Sequence, residues 1–398
     1  MSTRSVSGAR YAERIARAQQ TLPPADASAL LIGVGADLQW LTGYAAHALE
    51  RLTMLVIPAR GPASLVLPRL ERAAAETCTA AQAGHIELVT WEETEDPFLL
   101  VADLLSQTNS RPEVQIGALG GAWGNLSGLL VSDRLWATFL LRIQAVLPDA
   151  AFGLASTVLS DLRAIKDKEE VDLLRKAAHA ADQAITGTAH GRLVGRTEAE
   201  IANDVRERLI DAGHDDASFW IVASGPNSAS PHHEPTNRVV SAGEPLLLDI
   251  GGIVEGYGSD ITRTFWVAGG DNHGPTDEYR NLYDVLQRAQ RAQLDAVRAG
   301  LVASELDAIG RRQIDAAGFG DKFIHRTGHG IGLDGHEDPY IVETNDRELE
   351  VGNAFSVEPG IYIDGRYGAR IEDIVVCRED SGDILNEASR DLVVVSGE

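Results

Sequence analysis

The chain has 398 residues, 44% of them hydrophobic and 24% charged, with 35 Lys and Arg against 59 Asp and Glu and a formal net charge of −24. That length exceeds one ordinary hydrophobic core and implies two domains, while the composition excludes wholesale disorder. The surplus of acids repels phosphates over much of the surface, which excludes nucleic acid and an anionic membrane as expected partners.

The first twenty residues contain no apolar run of the kind a signal peptide needs. Nowhere do about eighteen apolar residues follow one another, so no membrane span is expected. Two cysteines, Cys78 and Cys377, make no disulfide framework, and a cytoplasmic location is expected. From Ala29 to about Leu159, apolar runs alternate with helical stretches. Residues 29–34, 52–58 and 63–68 read as strands, with 86–89 and 116–119 as shorter candidates. Residues 68–84 and 96–107 read as helices. An α/β domain over 1–160 fits this pattern, and its residues carry no recognisable chemistry of their own.

A second domain, 161–398, begins with a helix in which Val171, Leu174, Ala178, Ala181 and Ile185 recur at a helical period. Thr197 and Glu200 form a capping box for the next helix, which Ile201, Val205 and Leu209 continue and Gly213 ends. Residues 246–267 read as two strands around a Gly-rich turn. The order then recurs, with helices over 276–300 and 304–318 and a strand–turn–strand over 355–376. Asp167 and Asp249 are 82 residues apart, and so are Thr276 and Glu358. A duplicated α+β unit with a pseudo-two-fold axis is therefore expected.

Each hairpin carries a pair of acids. If the strands pair symmetrically about their turns, Asp249 faces Asp260, and Glu358 faces Glu372 about Gly365, roughly 5 Å apart at Cβ. Four acids among apolar strand residues repel one another and lose hydration unless cations neutralise them. Two divalent ions match that charge. Oxygen ligands suit Mn or Mg, and an imidazole extends the choice to Co, Fe or Zn.

Five of the eleven histidines lie in two short segments. His232 and His233 stand in SGPNSASPHHEP, and His325, His329 and His336 in HRTGHGIGLDGHEDP. A lone histidine is usually structural, but three in one Gly-rich loop between two acid hairpins point to a site. Gly328, Gly330 and Gly332 are expected to let the backbone approach a ligand around His329. The run from Gly330 to Gly335 matches G-x-G-x-x-G, but no convincing apolar strand precedes it and Pro339 interrupts any following helix, so a dinucleotide site is excluded.

At these residues the sequence resembles the pita-bread metallopeptidases of the prolidase and aminopeptidase P group. DIGGIVEGYGSDITRTF, HRTGHGIGLDGHEDP, SVEPGIY and ARIEDIVV match that family in order and spacing, over about 160–398. The earlier region resembles the family's creatinase-type N-domain, and DLQWLTGY (37–44) its loop that reaches toward an active site. The resemblance implies two divalent metal ions per subunit, Mn favoured and Co or Zn possible. Asp249 would hold one ion, Asp260 and Glu372 bridge both, and His329 and Glu358 complete the other. It further implies catalytic roles for His232, His336 and Glu358, and a bracing role for Arg370. Substrate contacts are expected at Trp40, His233 and Tyr340.

The activity implied is hydrolysis of the bond before proline in dipeptides or short peptides by a homodimer. A dipeptidase is favoured over an aminopeptidase P. A non-catalytic peptide-binding module is the alternative from another class, and no implied ligand is lost to support it. A methionine aminopeptidase is disfavoured by the large N-domain. Some prolidases place Arg directly after H-E-x-P, where this chain has Tyr340. His233, Arg347, Arg366 or a partner-subunit residue is expected to replace it as the cation for the substrate carboxylate.

Overall fold

The computed structural model describes residues 6–108, 128–269 and 274–396. The chain divides into two compact units, Met1–Arg163 and Ala164–Glu398.

In the first unit, Ala29–Gly33, Met54–Pro58 and Ala63–Pro68 are buried along their whole length. That explains why they are unbroken apolar runs rather than alternating ones. They form the centre of a six-stranded mixed sheet, ordered Ile86–Trp91, Ala63–Pro68, Met54–Pro58, Ala29–Gly33, Leu129–Val131 and Phe152–Leu154. The helices Pro97–Thr108 and Ala137–Val146 cover part of the sheet through Phe98, Val101, Leu105, Phe139 and Ile143. The expected helix over 68–84 breaks into a 3-10 turn at Arg69–Glu71 and two short helices, Arg72–Ala75 and Thr79–Gln82. The Thr77 hydroxyl takes the Ala74 carbonyl, and Cys78 turns extended. The strand candidate at 116–119 lies outside the described residues.

Most of the 37–44 segment is a short helix. Residues Ala36–Thr42 form a helix, closed by Gly43 at φ 75° with its N–H on the Gln39 carbonyl. Trp40 is only 2% exposed. The Arg14 guanidinium lies 5.0 Å from its ring centroid, and Arg14 Nη1 donates to the Trp40 carbonyl at 3.0 Å. This indole is a core residue of the first unit, because burying its large apolar surface is worth more than presenting it to solvent.

The second unit repeats one plan. Helices Lys168–Ala189 and Glu198–Asp211 both open with complete capping boxes, Asp167 with Glu170 and Thr197 with Glu200. They pack on a sheet ordered Val394–Val395, Ile261–Val267, Glu244–Val254 and Asp216–Ser224. Helices Asp277–Ala296 and Ala303–Ala316 accompany a second sheet, ordered Glu337–Ile341, Gly328–Gly330, Ala354–Val357, Asp373–Cys377 and Gly382–Ile384. Asp167 and Thr276 are the N-caps of the first helix in each half, so both 82-residue intervals run from a helix cap to an acid.

The two hairpins differ in register. Glu255 at φ 49° and Gly256 at φ 93° make a two-residue turn with both φ positive, the hand that suits strand twist. This sets Asp249 opposite Thr262, not opposite Asp260 as symmetric pairing about the previous residue predicts. Asp260 stands two residues before Thr262, so it shares a face with Asp249 on the diagonal. In the second hairpin Gly360 pairs Arg370 and Val357 pairs Asp373, one register about Gly365. Glu358 and Glu372 fall at matching positions in the gap between these segments.

Two of the glycines around His329 serve the sheet. Gly328–Gly330 is a strand, and a Cβ would lie 1.8 Å from the Ser356 carbonyl oxygen at Gly328 and 2.2 Å from that of Asp338 at Gly330. Only glycine lets the neighbouring backbones close up here.

Truncation of Trp40 tests its place in the core. Trp40→Ala is expected to cost about 3–5 kcal/mol of stability. A chemical-denaturation midpoint for the first unit within error of the parent protein would contradict the buried position.

Candidate metal centre

The two hairpins and the Gly328–Gly330 strand bring five side chains to one place. One oxygen or nitrogen each from Asp260, His329 and Glu372 lies within 4.8 Å of the others. His329 Nε2 is 3.4 Å from Glu358 Oε1 and 3.7 Å from Asp260 Oδ2. Asp249 joins the group through Arg370, whose Nη2 donates to its Oδ2. Glu358 accepts from Ser356 Oγ at 3.0 Å, and Glu372 Oε2 accepts from Thr262 Oγ1 at 2.6 Å.

The electrostatics are those of a crowded anionic site. Burial raises the Asp260 carboxyl well above the usual range, and the negative charges of Glu372, Asp249 and Glu358 add to it. Burial, then Glu358 and Asp249, do the same to Glu372. Glu358 is pushed up to about 7, mainly by burial, with Arg370 opposing. Two buried acceptor oxygens, Asp249 Oδ1 and Glu372 Oε1, have no hydrogen-bond partner. An unpartnered carboxylate oxygen is costly unless a cation meets it, so the donor set fits divalent metal ions.

Two histidines meet the acids with defined tautomers. His329 Nδ1 donates to the Gly330 carbonyl at 3.1 Å, which leaves the Nε2 lone pair facing Asp260 and Glu358. Burial, and then the neighbouring His336, hold its pKa down to about 3, so the ring is neutral. His336 stacks on His329 with ring centroids 3.8 Å apart. Arg326 Nη2 donates to His336 Nδ1 at 2.9 Å, which places the His336 proton on Nε2.

Arg370 is the buried counter-charge. Besides Asp249 it donates to Thr262 Oγ1 at 3.1 Å, the Tyr362 hydroxyl at 2.7 Å and the Pro231 carbonyl at 3.2 Å. A hydrogen-bond chain continues outward. Tyr362 donates to His325 Nε2 at 2.9 Å, and His325 Nδ1 donates to the Arg326 carbonyl at 2.8 Å. Sequence reasoning missed Thr262, Ser356, Tyr362 and Arg326. Thr262 was findable, because it lies two residues beyond Asp260 on the same strand face. Tyr362 has no comparable signal, since its role depends on Arg370 reaching across the hairpin.

The remaining expected residues flank the centre or lie apart from it. His232 is exposed on the 231–236 loop. His233 Nε2 is held by Glu198 at 2.8 Å, which makes it an anchor of that loop rather than a free substrate contact. Glu198 also accepts from Ser224, Asn227 and Thr236. Burial alone would raise its pKa, but the hydrogen bonds from His233, Ser224 and Thr236 prevail and lower it to about 2. Tyr340 is half-buried, with the Arg326 guanidinium 4.7 Å over its ring. Arg366 is clamped by both Glu278 oxygens at 2.7 and 2.8 Å, and Arg347 is exposed.

Comparison with known proteins identifies the family of both units. Residues 172–379 match the description "Metallopeptidase family M24", and residues 14–165 match "Creatinase/Prolidase N-terminal domain". The "Probable dipeptidase PepE" of Mycobacterium tuberculosis is 41% identical over 399 residues, 99% of each chain. The "Xaa-Pro dipeptidase" of Lactobacillus delbrueckii subsp. lactis is 35% identical over 361 residues, covering 90% of this chain and 92% of that one. The crystal structure of dipeptidase PepE from Mycobacterium ulcerans superimposes with a TM-score of 0.88 at 40% identity, over 98% of this chain and 99% of that one.

The raised carboxyl pKa values set a pH trend for metal-free protein. The folded state retains protons on Asp260, Glu358 and Glu372 that the unfolded chain has released, so stability is present at low pH and lost as pH rises. For Glu358 that window runs from its ordinary 4.5 to about 7. Melting temperature after chelation is expected to be lower at pH 8 than at pH 5. A divalent ion at about 100 times its dissociation constant should restore roughly 2.7 kcal/mol at the higher pH. Melting curves that ignore both pH and metal, with metal loss verified by elemental analysis, would contradict a buried acid centre.

Proposed function

This chain belongs to metallopeptidase family M24, and from that premise we propose that it is an Xaa-Pro dipeptidase working at the Asp249–Asp260–His329–Glu358–Glu372 centre. The observation that carries the reading is the buried acid cluster with two unpartnered acceptor oxygens and a neutral imidazole facing it. The names of full-length relatives support the dipeptidase over the aminopeptidase. Asp249, Asp260, Glu372, His329 and Glu358 would hold two divalent cations, Mn by preference, with Co or Zn also matching the donors. When bound, such ions supply Lewis-acid polarisation of a peptide carbonyl and activation of water.

The chain's own residues do the rest. Glu358, at the edge of the centre beside His329, is the carboxylate that takes a proton from the attacking water and returns it to the leaving nitrogen. That nitrogen is the proline's, a tertiary amide that has no proton of its own and needs one to leave. His336 presents Nε2–H, the correct tautomer to donate to the carbonyl oxygen as negative charge gathers there. His232 stands on the adjoining loop as a second donor. Arg370 holds Asp249 in place and offsets one of the four negative charges. Among the described residues no helix is long and apolar enough to cross a membrane. We place the enzyme in the cytoplasm as a homodimer acting on proline-containing dipeptides.

A substrate-length series tests the function. Xaa-Pro should be cleaved with a higher kcat/KM than Xaa-Pro-Xaa, chelation should abolish turnover, and Mn should restore it. Asp260→Asn should lower metal content, because an amide cannot neutralise cations as a carboxylate does. Faster cleavage of Xaa-Pro-Xaa would assign the aminopeptidase P activity instead, and full turnover without metal would end the metallopeptidase reading.

A further inference from the structure

A dipeptidase that separates a terminal proline from an internal one needs a cation for the free carboxylate. The cations around the centre are mostly engaged. Arg370 serves Asp249, Thr262, Tyr362 and Pro231. Arg311 is forked onto Asp307 at 2.8 and 2.9 Å, and Arg366 onto Glu278. His233 is bound to Glu198.

Arg326 is different. Among the described residues no acid pairs with it, and its one hydrogen bond is from Nη2 to His336. Its guanidinium lies over Tyr340, 4.7 Å from the ring centroid, within reach of the aromatic face. A guanidinium has five N–H donors, so several remain for an incoming anion.

We propose that Arg326, steadied by Tyr340 and His336, holds the free carboxylate of the dipeptide substrate; this rests on the dipeptidase reading above. The placement suits a dipeptide. Arg326 bonds the Nδ1 side of His336, while the protonated Nε2 is the edge available to a substrate carbonyl. One imidazole therefore separates the cation from the reacting bond. In the substrate one residue, with about 3.8 Å between successive Cα atoms, separates the scissile carbonyl from the terminal carboxylate. The segment bearing Arg326 is firmly tied. Arg311 donates to the carbonyls of Phe323 and His325 at 3.1 and 3.0 Å, and Thr327 N donates to Asp307 at 3.1 Å. A cation on a fixed backbone and an aromatic platform loses little freedom when it binds, which favours selectivity.

The test compares an Xaa-Pro dipeptide with its C-terminal amide in the metal-loaded full-length enzyme. Wild type should prefer the acid. Arg326→Met should lower kcat/KM for the acid by about 10- to 100-fold, mainly through KM, the effect of losing a charge-assisted hydrogen bond. The amide should lose clearly less, because it feels only the effect on His336, so the acid-to-amide ratio of kcat/KM should fall by about tenfold. Arg326→Lys keeps the charge without the planar fork and should retain an intermediate preference for the acid. Equal losses on acid and amide would overturn the proposal, because Arg326 would then act only by orienting His336. An acid preference that survives in both variants would overturn it too. If wild type cleaves acid and amide equally, the peptidase reading stands and this proposal falls; if it cleaves neither, both fall.

Discussion

Mutual repulsion among four carboxylates in a nearly dry centre is the constraint on which the second unit is built. At about 4 Å, two unit charges near a protein surface interact by about 4 kcal/mol. Asp249, Asp260 and Glu372 are each less than a tenth exposed, so water does little to weaken this. Arg370 supplies one compensating charge and leaves three. The site is therefore complete only with protons or cations, and the raised carboxyl pKa values and the unpartnered oxygens are two expressions of that deficit.

Two adjacent residues at the start of the Asp373–Cys377 strand show how local this control is. Glu372 faces the centre, and burial raises its pKa well above the usual range. Asp373, its neighbour, projects from the opposite face. It is equally buried, but Arg263 and Arg390 each approach it at 2.7 Å and Gln290 donates to it at 2.6 Å. Those cations outweigh burial and lower its pKa. Arg263 also donates to the Glu372 carbonyl, so a paired, structural acid on one face fixes the backbone that carries an unpaired acid on the other.

The fold was legible where one residue pattern has one physical solution. The central strands of the first unit are apolar throughout because both faces are covered, and the capping box at Thr197 marks a helix start that the structure retains. The register of the first hairpin was not legible to within one residue. A turn that accepts Glu255 at positive φ moves the symmetry axis by one position, and composition alone does not distinguish the two placements. The burial of Trp40 was not legible either, because the Arg14 guanidinium over its ring comes from a helix 26 residues earlier in the chain. The sheet role of Gly328 and Gly330 is not legible in the sequence, because the close backbones belong to Ser356 and Asp338 on other strands.

The sequence by itself determined the candidate donors: two acids per hairpin, a histidine between them, and a duplicated spacing from helix cap to acid. These are properties of residue type and order, which survive small errors in register. Only the tertiary structure decided which donors are neutral, which oxygens lack partners, and where each histidine carries its proton. It also separated Arg370 and Arg366, engaged by acids, from Arg326, which is not. Those outcomes depend on distances of a few ångströms between segments far apart in the chain, and a charge is felt through space rather than along the sequence.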